Sequence, residues 1–224
     1  MTTVWKFAKY DYCIFKSQAR MLVVFLALAV YLACITDKGY AFGMLYGGFG
    51  AIVFVTTPFY YEQSLTGTRG FIGLLPGTNG QRVQGRFLFG NLIIMAYMTL
   101  NFLLMAAVSF LRKEVFPYMT EIYVLVMAIT CIFNALQFTL MYFIELKPGQ
   151  GQTYASLLRM VIPFAMFFGI PVLSDRLSSD QIRVLSDIWM RHSLSVSLAA
   201  LLAALVFSAW MGWLCTLHEN KKIG

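Results

Sequence analysis

The sequence predicts an all-α membrane protein of six transmembrane helices, and its composition, its apolar runs and its charge distribution all support this fold class. Of the 224 residues, 59% are hydrophobic and only 12% are charged, which is more apolar surface than a water-soluble domain of this size needs. A bilayer core about 30 Å thick requires about 20 apolar residues per helix. Six runs approach this length and together form a single transmembrane domain over residues 1–224: 21–36, 40–61, 87–111, 119–144, 156–173 and 193–217.

The distribution of lysine and arginine sets the predicted orientation of these spans. With the N terminus inside, eleven of the 17 Lys and Arg residues lie on inner segments and six lie on outer segments. Because cytoplasmic loops carry the excess of positive charge, both termini are predicted to be cytosolic. This bias also explains the net charge of +7, so no nucleic-acid partner is expected.

Residues 2–19, before the first span, are predicted to form an amphipathic helix that lies in the headgroup layer. At about 100° per residue, one narrow face is basic and the opposite face is aromatic and aliphatic. The opposite face carries Val4, Ala8, Tyr12 and Phe15, flanked by Trp5, Phe7 and Ile14. The basic residues are Lys6, Lys9, Lys16 and Arg20. Asp11 breaks the pattern, since it projects on the apolar side. It is either an ordinary carboxylate that reaches water or the partner of a cation after span 2, Arg82 or Arg86.

The segment 62–86, between spans 2 and 3, is predicted to be a glycine-rich, basic cytosolic loop with a compact apolar group. Phe71, Leu74 and Leu75 have the i, i+3, i+4 spacing of one face of a helical turn. Pro76 ends that turn, residues 77–80 are typical of a tight turn, and Gln81 then begins the next helix. We interpret the apolar group as a short helix that a partner protein grips, with a plain interfacial connector as the alternative. Its predicted contact residues are Arg69, Phe71, Ile72, Leu74, Leu75, Pro76, Arg82 and Arg86.

Inside the spans, the informative residues are small, polar or helix-bending. Gly43, Gly47 and Gly50 make a thin face on span 2 that lets two helices approach closely, either within one subunit or between two subunits. Pro163 and Pro171 are expected to kink or interrupt span 5, because each removes a backbone donor and clashes with the preceding turn. Four polar side chains on spans 3 and 4 are expected to hydrogen-bond between helices: Asn91, Asn101, Asn134 and Gln137.

The longest outer segment, residues 174–192, is predicted to form its own amphipathic helix at the outer interface. Ser178 to Gln181 resembles a capping box, and Ile182, Leu185 and Trp189 then recur on one face. The helix is either a lid over an exit path or a plain interfacial connector.

Several kinds of chemistry are absent from the sequence. No span carries an ionisable residue near its middle, since Arg159 lies at the inner end of span 5, whereas ion-coupled transporters generally need such a residue. No His/Glu cluster suggests a metal, and the glycine-rich loop lacks the Gly-Lys-Ser/Thr ending of a phosphate site. The chain is therefore not expected to be an enzyme, and active transport would require ATP and magnesium bound by another chain.

Together, the interfacial N-terminal helix, the six spans, the apolar group after span 2 and the outer helix resemble the permeases of type-2 ATP-binding-cassette (ABC) exporters, small bacterial six-span proteins. The order of short motifs is similar to theirs: an acidic residue after span 2, a Leu-Pro step and a basic, valine-containing entry to span 3. In this chain the motifs are Pro58-Phe59-Tyr60-Tyr61-Glu62, Leu74-Leu75-Pro76 and Gln81-Arg82-Val83-Gln84-Gly85-Arg86-Phe87. The loop departs from the usual pattern in its many glycines, among them Gly67, Gly70 and Gly73.

The resemblance implies one of two permease subunits, identical or different, in a bacterial cell membrane. Residues 71–76 would dock in a groove of a separate ABC ATPase subunit. The N-terminal helix, through Lys6, Lys9, Asp11 and Lys16, would help transmit the closure of that subunit. Spans 2 and 5 would line the path between the two permeases, with Gly43, Gly47, Gly50, Pro163 and Pro171 on them. Such permeases export amphipathic peptides, including toxins and antimicrobials, as well as lipids and drugs.

Two functions therefore remain open from the sequence. The first is an ABC exporter permease, and the second is a six-span membrane scaffold or accessory protein with no transport of its own. The residues 69–86 discriminate between them, because a permease needs its apolar group against an ATPase whereas a scaffold tolerates polar residues there.

Overall fold

All regular structure among the described residues is α-helical, which confirms the all-α prediction. The computed structural model describes residues 3–16, 19–35, 39–58, 77–113, 118–143, 151–174, 176 and 178–221. Within them lie seven helices: α1 (Thr3–Lys16), α2 (Ala19–Ile35), α3 (Gly39–Val55), α4 (Asn79–Arg112), α5 (Met119–Phe143), α6 (Gly151–Ser174) and α7 (Ser179–Lys221).

A helix overlaps each of the six predicted spans, but the helices differ in length. Within the described part of the chain, three segments are long and apolar enough to cross a membrane: Asn79–Arg112, Met119–Phe143 and Arg191–Lys221. A fourth results if α1 and α2, which are bent by 69°, count as one span. Because α2 and α3 have 17 residues each, they extend only about 25 Å, less than the bilayer core of about 30 Å. The six-span count therefore stays a prediction.

The central element of the fold is α4, which packs against α1, α2, α3, α5 and α7. Fully buried side chains occur along the length of this helix: Val83, Ile94, Met98 and Met105. The hydrophobic core therefore extends along α4. At its C-terminal end, Arg112 donates to the carbonyl oxygens of Ala33 at 3.0 Å and Cys34 at 3.2 Å. A cation therefore satisfies the last carbonyls of α2, where the negative end of the helix dipole favours it.

The start of α4 differs from the prediction by two residues. Thr78 is its N-cap, and Thr78 and Gln81 form a complete capping box, in which the Gln81 amide donates to Thr78 Oγ1 at 3.3 Å and the Thr78 amide donates to Gln81 Oε1 at 3.1 Å. Each bond satisfies a backbone donor that the first helical turn leaves without a partner. The helix thus begins inside the turn predicted over 77–80 and includes the last part of the loop predicted over 62–86.

The helix predicted before span 6 is present, and its capping box is confirmed. The Ser178 amide donates to Gln181 Oε1 at 3.1 Å, and the Gln181 amide donates to Ser178 Oγ at 3.3 Å. His192 has non-helical dihedrals, φ −136° and ψ 32°, which divide α7 into a short N-terminal part and a long C-terminal part. The face predicted from Ile182, Leu185 and Trp189 lies outside the described side chains, and the interfacial position of this helix stays a prediction.

Of the two effects expected of the prolines in span 5, the interruption is wrong, because α6 is helical from Gly151 to Ser174 through both Pro163 and Pro171, and the kink stays a prediction. Each proline leaves the carbonyl four residues earlier without its helical donor. Helices in membrane proteins tolerate this loss because neighbouring helices and polar side chains satisfy the freed groups.

Candidate functional site

The candidate site is the crossing of α1 over the first turns of α4, where the two helices touch backbone to backbone. A Cβ atom on Gly85 would lie 2.7 Å from Cβ of Phe7 and 2.8 Å from the carbonyl oxygen of Val4. Such distances are too short for a side chain, so only glycine allows this crossing. Phe7 and Ala8 are consequently buried, with 6% and 5% of their surface exposed.

An ion pair is buried at this crossing. Arg86 Nε donates to Asp11 Oδ2 at 3.1 Å, and Arg86 Nη2 donates to Asp11 Oδ1 at 3.2 Å. The two side chains are only 2% and 4% exposed. Of the alternatives left open for Asp11, pairing with Arg86 is therefore confirmed. The bidentate geometry fixes both side chains, and it matters because a buried charge without its partner is strongly unfavourable.

Part of the predicted apolar side of α1 packs against protein. Phe7, Ala8, Asp11 and Phe15 are buried, and Phe15 makes an edge-to-face contact with Phe89 at 5.6 Å between ring centroids. Trp5 and Tyr12, which were predicted on the same side, are 41% and 48% exposed. The contact with α4 brings the Asp11 carboxylate to Arg86, and the position of α1 in the headgroup layer stays a prediction. The three lysines are exposed as predicted: Lys6, Lys9 and Lys16.

The other predicted cation, Arg82, contacts α7 rather than α1. Its Nη2 lies 3.9 Å from Glu219 Oε2, and both side chains are partly exposed, so this ion pair contributes little to stability. The packing beside it is tighter, because a Cβ on Gly80 would lie 2.7 Å from Cγ2 of Thr216. The first turns of α4 are thus enclosed by α1 on one side and by the C-terminal end of α7 on another.

Six of the residues predicted to contact a partner lie outside the described residues: Arg69, Phe71, Ile72, Leu74, Leu75 and Pro76. The first described residue after them is Gly77. This glycine has φ +153°, and a Cβ on it would lie 2.7 Å from Cε2 of Phe7 and 2.9 Å from Cγ2 of Thr3. The segment that follows residues 59–76 therefore lies against the beginning of α1.

The glycine face of α3 packs inside the chain. A Cβ on Gly43 would lie 3.0 Å from both the Ala29 carbonyl oxygen and Met105 Sδ. A Cβ on Gly47 would overlap the Asn101 side chain, and one on Gly50 would lie 2.9 Å from the Phe25 ring. These contacts favour packing within one subunit over the interface between subunits that the sequence left open.

Three of the four polar residues predicted to bond between helices do so. Asn101 donates to the Gly43 carbonyl oxygen at 3.3 Å and accepts from the Tyr123 hydroxyl at 2.7 Å. Asn91 donates to Ser208 Oγ at 2.9 Å, and Gln137 donates to the Leu158 carbonyl oxygen at 3.2 Å. Asn134 contradicts the prediction, because neither polar atom of its buried side chain has a partner within the described part of the chain.

Arg159 connects α6 to the end of α3, and this contact was not predicted from the sequence. Its Nε donates to the Val53 carbonyl oxygen at 2.8 Å, its Nη2 donates to Thr57 Oγ1 at 3.3 Å, and its guanidinium lies 5.6 Å from the centroid of the Phe54 ring. The cation thus holds the C-terminal end of α3 against α6. The sequence signal was the single arginine in the apolar part of span 5.

Comparison with known families decides the membership of the chain. The family model described as "ABC-2 family transporter protein" matches residues 8–216. The chain belongs to this family. The family match confirms the resemblance to ABC-2 type permeases, and together with the apolar helices it makes this chain a multi-pass membrane protein. None of the curated proteins matches it.

Within this ABC-2 protein, the crossing of α1 and α4 brings together residues from two distant parts of the sequence that were predicted to belong to the functional site. Asp11 and Arg86 meet, Arg82 lies about one helical turn before Arg86, and the lysines of α1 face outward. Among the residues described, no group of three or more His, Cys, Asp or Glu side chains is arranged to hold a metal ion.

Proposed function

We propose that this chain is the permease subunit of an ABC exporter and forms half of its translocation path. The family membership supports a transport role, and the bound ATP and magnesium belong to a separate ATPase subunit in this proposal. The second permease is either another copy of this chain or a different one. All six spans cross a bacterial cell membrane, and both termini are cytosolic.

The observation that carries the proposal is the buried Asp11–Arg86 ion pair, which joins α1 to the helix that follows the loop expected to contact the ATPase. In the proposed mechanism, residues 71–76 dock on the ATPase, and closure of that subunit displaces the loop. Because Gly77 lies against α1 and Arg86 is held by Asp11, displacement of the loop moves the beginning of α4 and α1 together. The ion pair therefore transmits the motion by preventing one helix from sliding over the other.

We propose an amphipathic substrate, which is a peptide, a lipid or a drug. The support is the sequence of the spans, which carry many aromatic residues and no ionisable residue near their middle. Such a path needs no tight binding site, since alternate opening driven by the partner's ATP suffices to move the substrate. Export rather than import follows from the family resemblance.

The test is co-purification of the tagged chain with its native neighbours in mild detergent. We expect a stoichiometric soluble ATPase that is lost from Leu74→Asp/Leu75→Asp while the variant remains inserted and folded. The matched control is Thr66→Asp/Thr68→Asp, which adds the same two charges to the same loop outside the apolar group. Unchanged ATPase association in the leucine variant would refute the docking assignment, and a chain that purifies alone would favour the membrane scaffold.

A further inference from the structure

A groove of about 370 Å³ lies between α1 and α4, next to the buried ion pair. Trp5, Lys9 and Tyr12 line it from α1, and Phe89, Leu92 and Ile93 line it from α4. The lining is almost entirely apolar, and Lys9 is the only charged residue among the described residues that form it. Phe89 also contacts Phe15, so the floor of the groove is part of the α1–α4 contact itself.

Among the described residues, the exposed charged side chains of α1 are all positive. Lys9 is exposed and makes no ion pair within the described residues, and Lys6 and Lys16 are exposed on the same helix. The only acidic residue of α1 is Asp11, which is buried against Arg86. An unneutralised ammonium group beside an apolar groove is complementary to a molecule that has an anionic group at one end and a hydrocarbon chain at the other.

We propose that this groove binds an anionic phospholipid of the surrounding bilayer, with one acyl chain along Phe89, Leu92 and Ile93 and the phosphate on Lys9. Trp5 and Tyr12 support this occupant, because their rings are apolar while their tips form hydrogen bonds, which suits the boundary between headgroups and chains. The bound lipid contacts α1 and α4 at once and holds α1 in place beside the Asp11–Arg86 pair. The proposal does not depend on the transport function.

The experiment uses Trp5 as a reporter in the full chain reconstituted in bilayers. Trp189, Trp210 and Trp213 are replaced by Phe, and Trp5 fluorescence is quenched by phosphatidylglycerol or phosphatidylcholine brominated on the acyl chain. We expect phosphatidylglycerol to quench at lower mole fraction than phosphatidylcholine. Lys9→Gln should weaken this preference about fivefold, the effect of one lysine near an anionic lipid surface.

The matched control is Lys16→Gln, which removes an exposed lysine of the same helix outside the groove and should keep the preference. Leu92→Phe, which narrows the groove, should reduce quenching by both lipids. Equal quenching by the two lipids in the parent, or an equal loss in Lys9→Gln and Lys16→Gln, would overturn the proposal. Absence of quenching by either lipid while Trp5 stays shielded from aqueous iodide would also overturn it, because protein would then cover the groove.

Discussion

Gly85 of α4 and Phe7 of α1 are so close that their helices meet without an intervening side chain at this point. A Cβ atom on Gly85 would lie 2.7 Å from that of Phe7, and the neighbouring Val4 carbonyl oxygen, a backbone atom, would be 2.8 Å away. The position of α1 on the protein is therefore set by a backbone contact that no rotamer change can relieve.

We expect Gly85→Ala to lower the free energy of unfolding by about 1–3 kcal/mol, because the added methyl group forces the two helices apart. The measurement is thermal unfolding in detergent. The matched control is Gly169→Ala in α6, where a Cβ has nothing within 4 Å. That variant should be unchanged or slightly more stable, since alanine favours helix over glycine by about 1 kcal/mol. Equal destabilisation of both variants would contradict a close crossing at Gly85.

Loss of one partner of the buried ion pair should be costly. We expect Asp11→Leu or Arg86→Met alone to lower the free energy of unfolding by about 3–5 kcal/mol, because each leaves an uncompensated buried charge. The double variant Asp11→Leu/Arg86→Met should regain most of this stability, since apolar residues often replace a buried ion pair without loss. Denaturant unfolding of the four proteins forms a complete double-mutant cycle.

The same four proteins distinguish the effect of the ion pair on folding stability from its proposed role in transmitting the ATPase closure. If the ion pair transmits the ATPase closure, the double variant folds and binds the ATPase but transports less substrate for each ATP hydrolysed than the parent. A double variant with parental transport per ATP would reject the transmitting role while leaving the stability prediction intact.

Substitutions at Gly47 and Asn101 should have non-additive effects on the free energy of unfolding. Gly47→Ala places a methyl group where the Asn101 side chain lies, so it should destabilise the protein by about 1–3 kcal/mol. In an Asn101→Ala background, which itself removes the acceptor of the Tyr123 hydroxyl, the added cost of Gly47→Ala should largely vanish. Additive effects of the two changes in thermal unfolding would be inconsistent with this contact.

The stability of the protein should depend on the guanidinium group of Arg159 and not only on its positive charge. Arg159→Gln should destabilise the protein by about 1.5–3 kcal/mol through loss of its charged hydrogen bonds to Val53 and Thr57. Arg159→Lys should restore only part of this, because an ammonium group lacks the guanidinium fork. Arg20→Gln, which removes an exposed arginine of α2, is the matched control and should have little effect. Full rescue by lysine would show that charge alone is required.

The contacts around α4 show which features a sequence can predict. The Asp11–Arg86 pair was predictable because a single acid interrupts an apolar helical face, and a buried acid needs a cation. The Thr78 cap was also predictable, since Thr-x-x-Gln has the spacing of a capping box. The contact between Arg82 and Glu219, by contrast, joins residues far apart in sequence, and no periodicity within one helix reveals which helix lies beside it.

Tertiary packing decides two further features. Asp11 is buried while Trp5 and Tyr12 on the same helix are exposed, and the periodicity of α1 alone does not predict this division. The helix continues through Pro163 and Pro171, because helices in membrane proteins tolerate the backbone bond that a proline removes.

The 34 residues of α4 form a rod about 51 Å long, about 20 Å longer than the bilayer core. α1 grips one end through Asp11, and the last carbonyls of α2 accept from Arg112 at the other. Since α1 and α2 are consecutive in the chain and are bent by 69°, this pair of helices contacts α4 near both of its ends. The eight residues of α4 before the predicted span 3, 79–86, extend about 12 Å, so a tilt of about 10° around a pivot at the membrane surface would swing them by roughly 2 Å. In the proposed permease, a push on the cytosolic end of α4 would therefore move the opposite end of this helix as a rigid lever, with no relay of side chains between them.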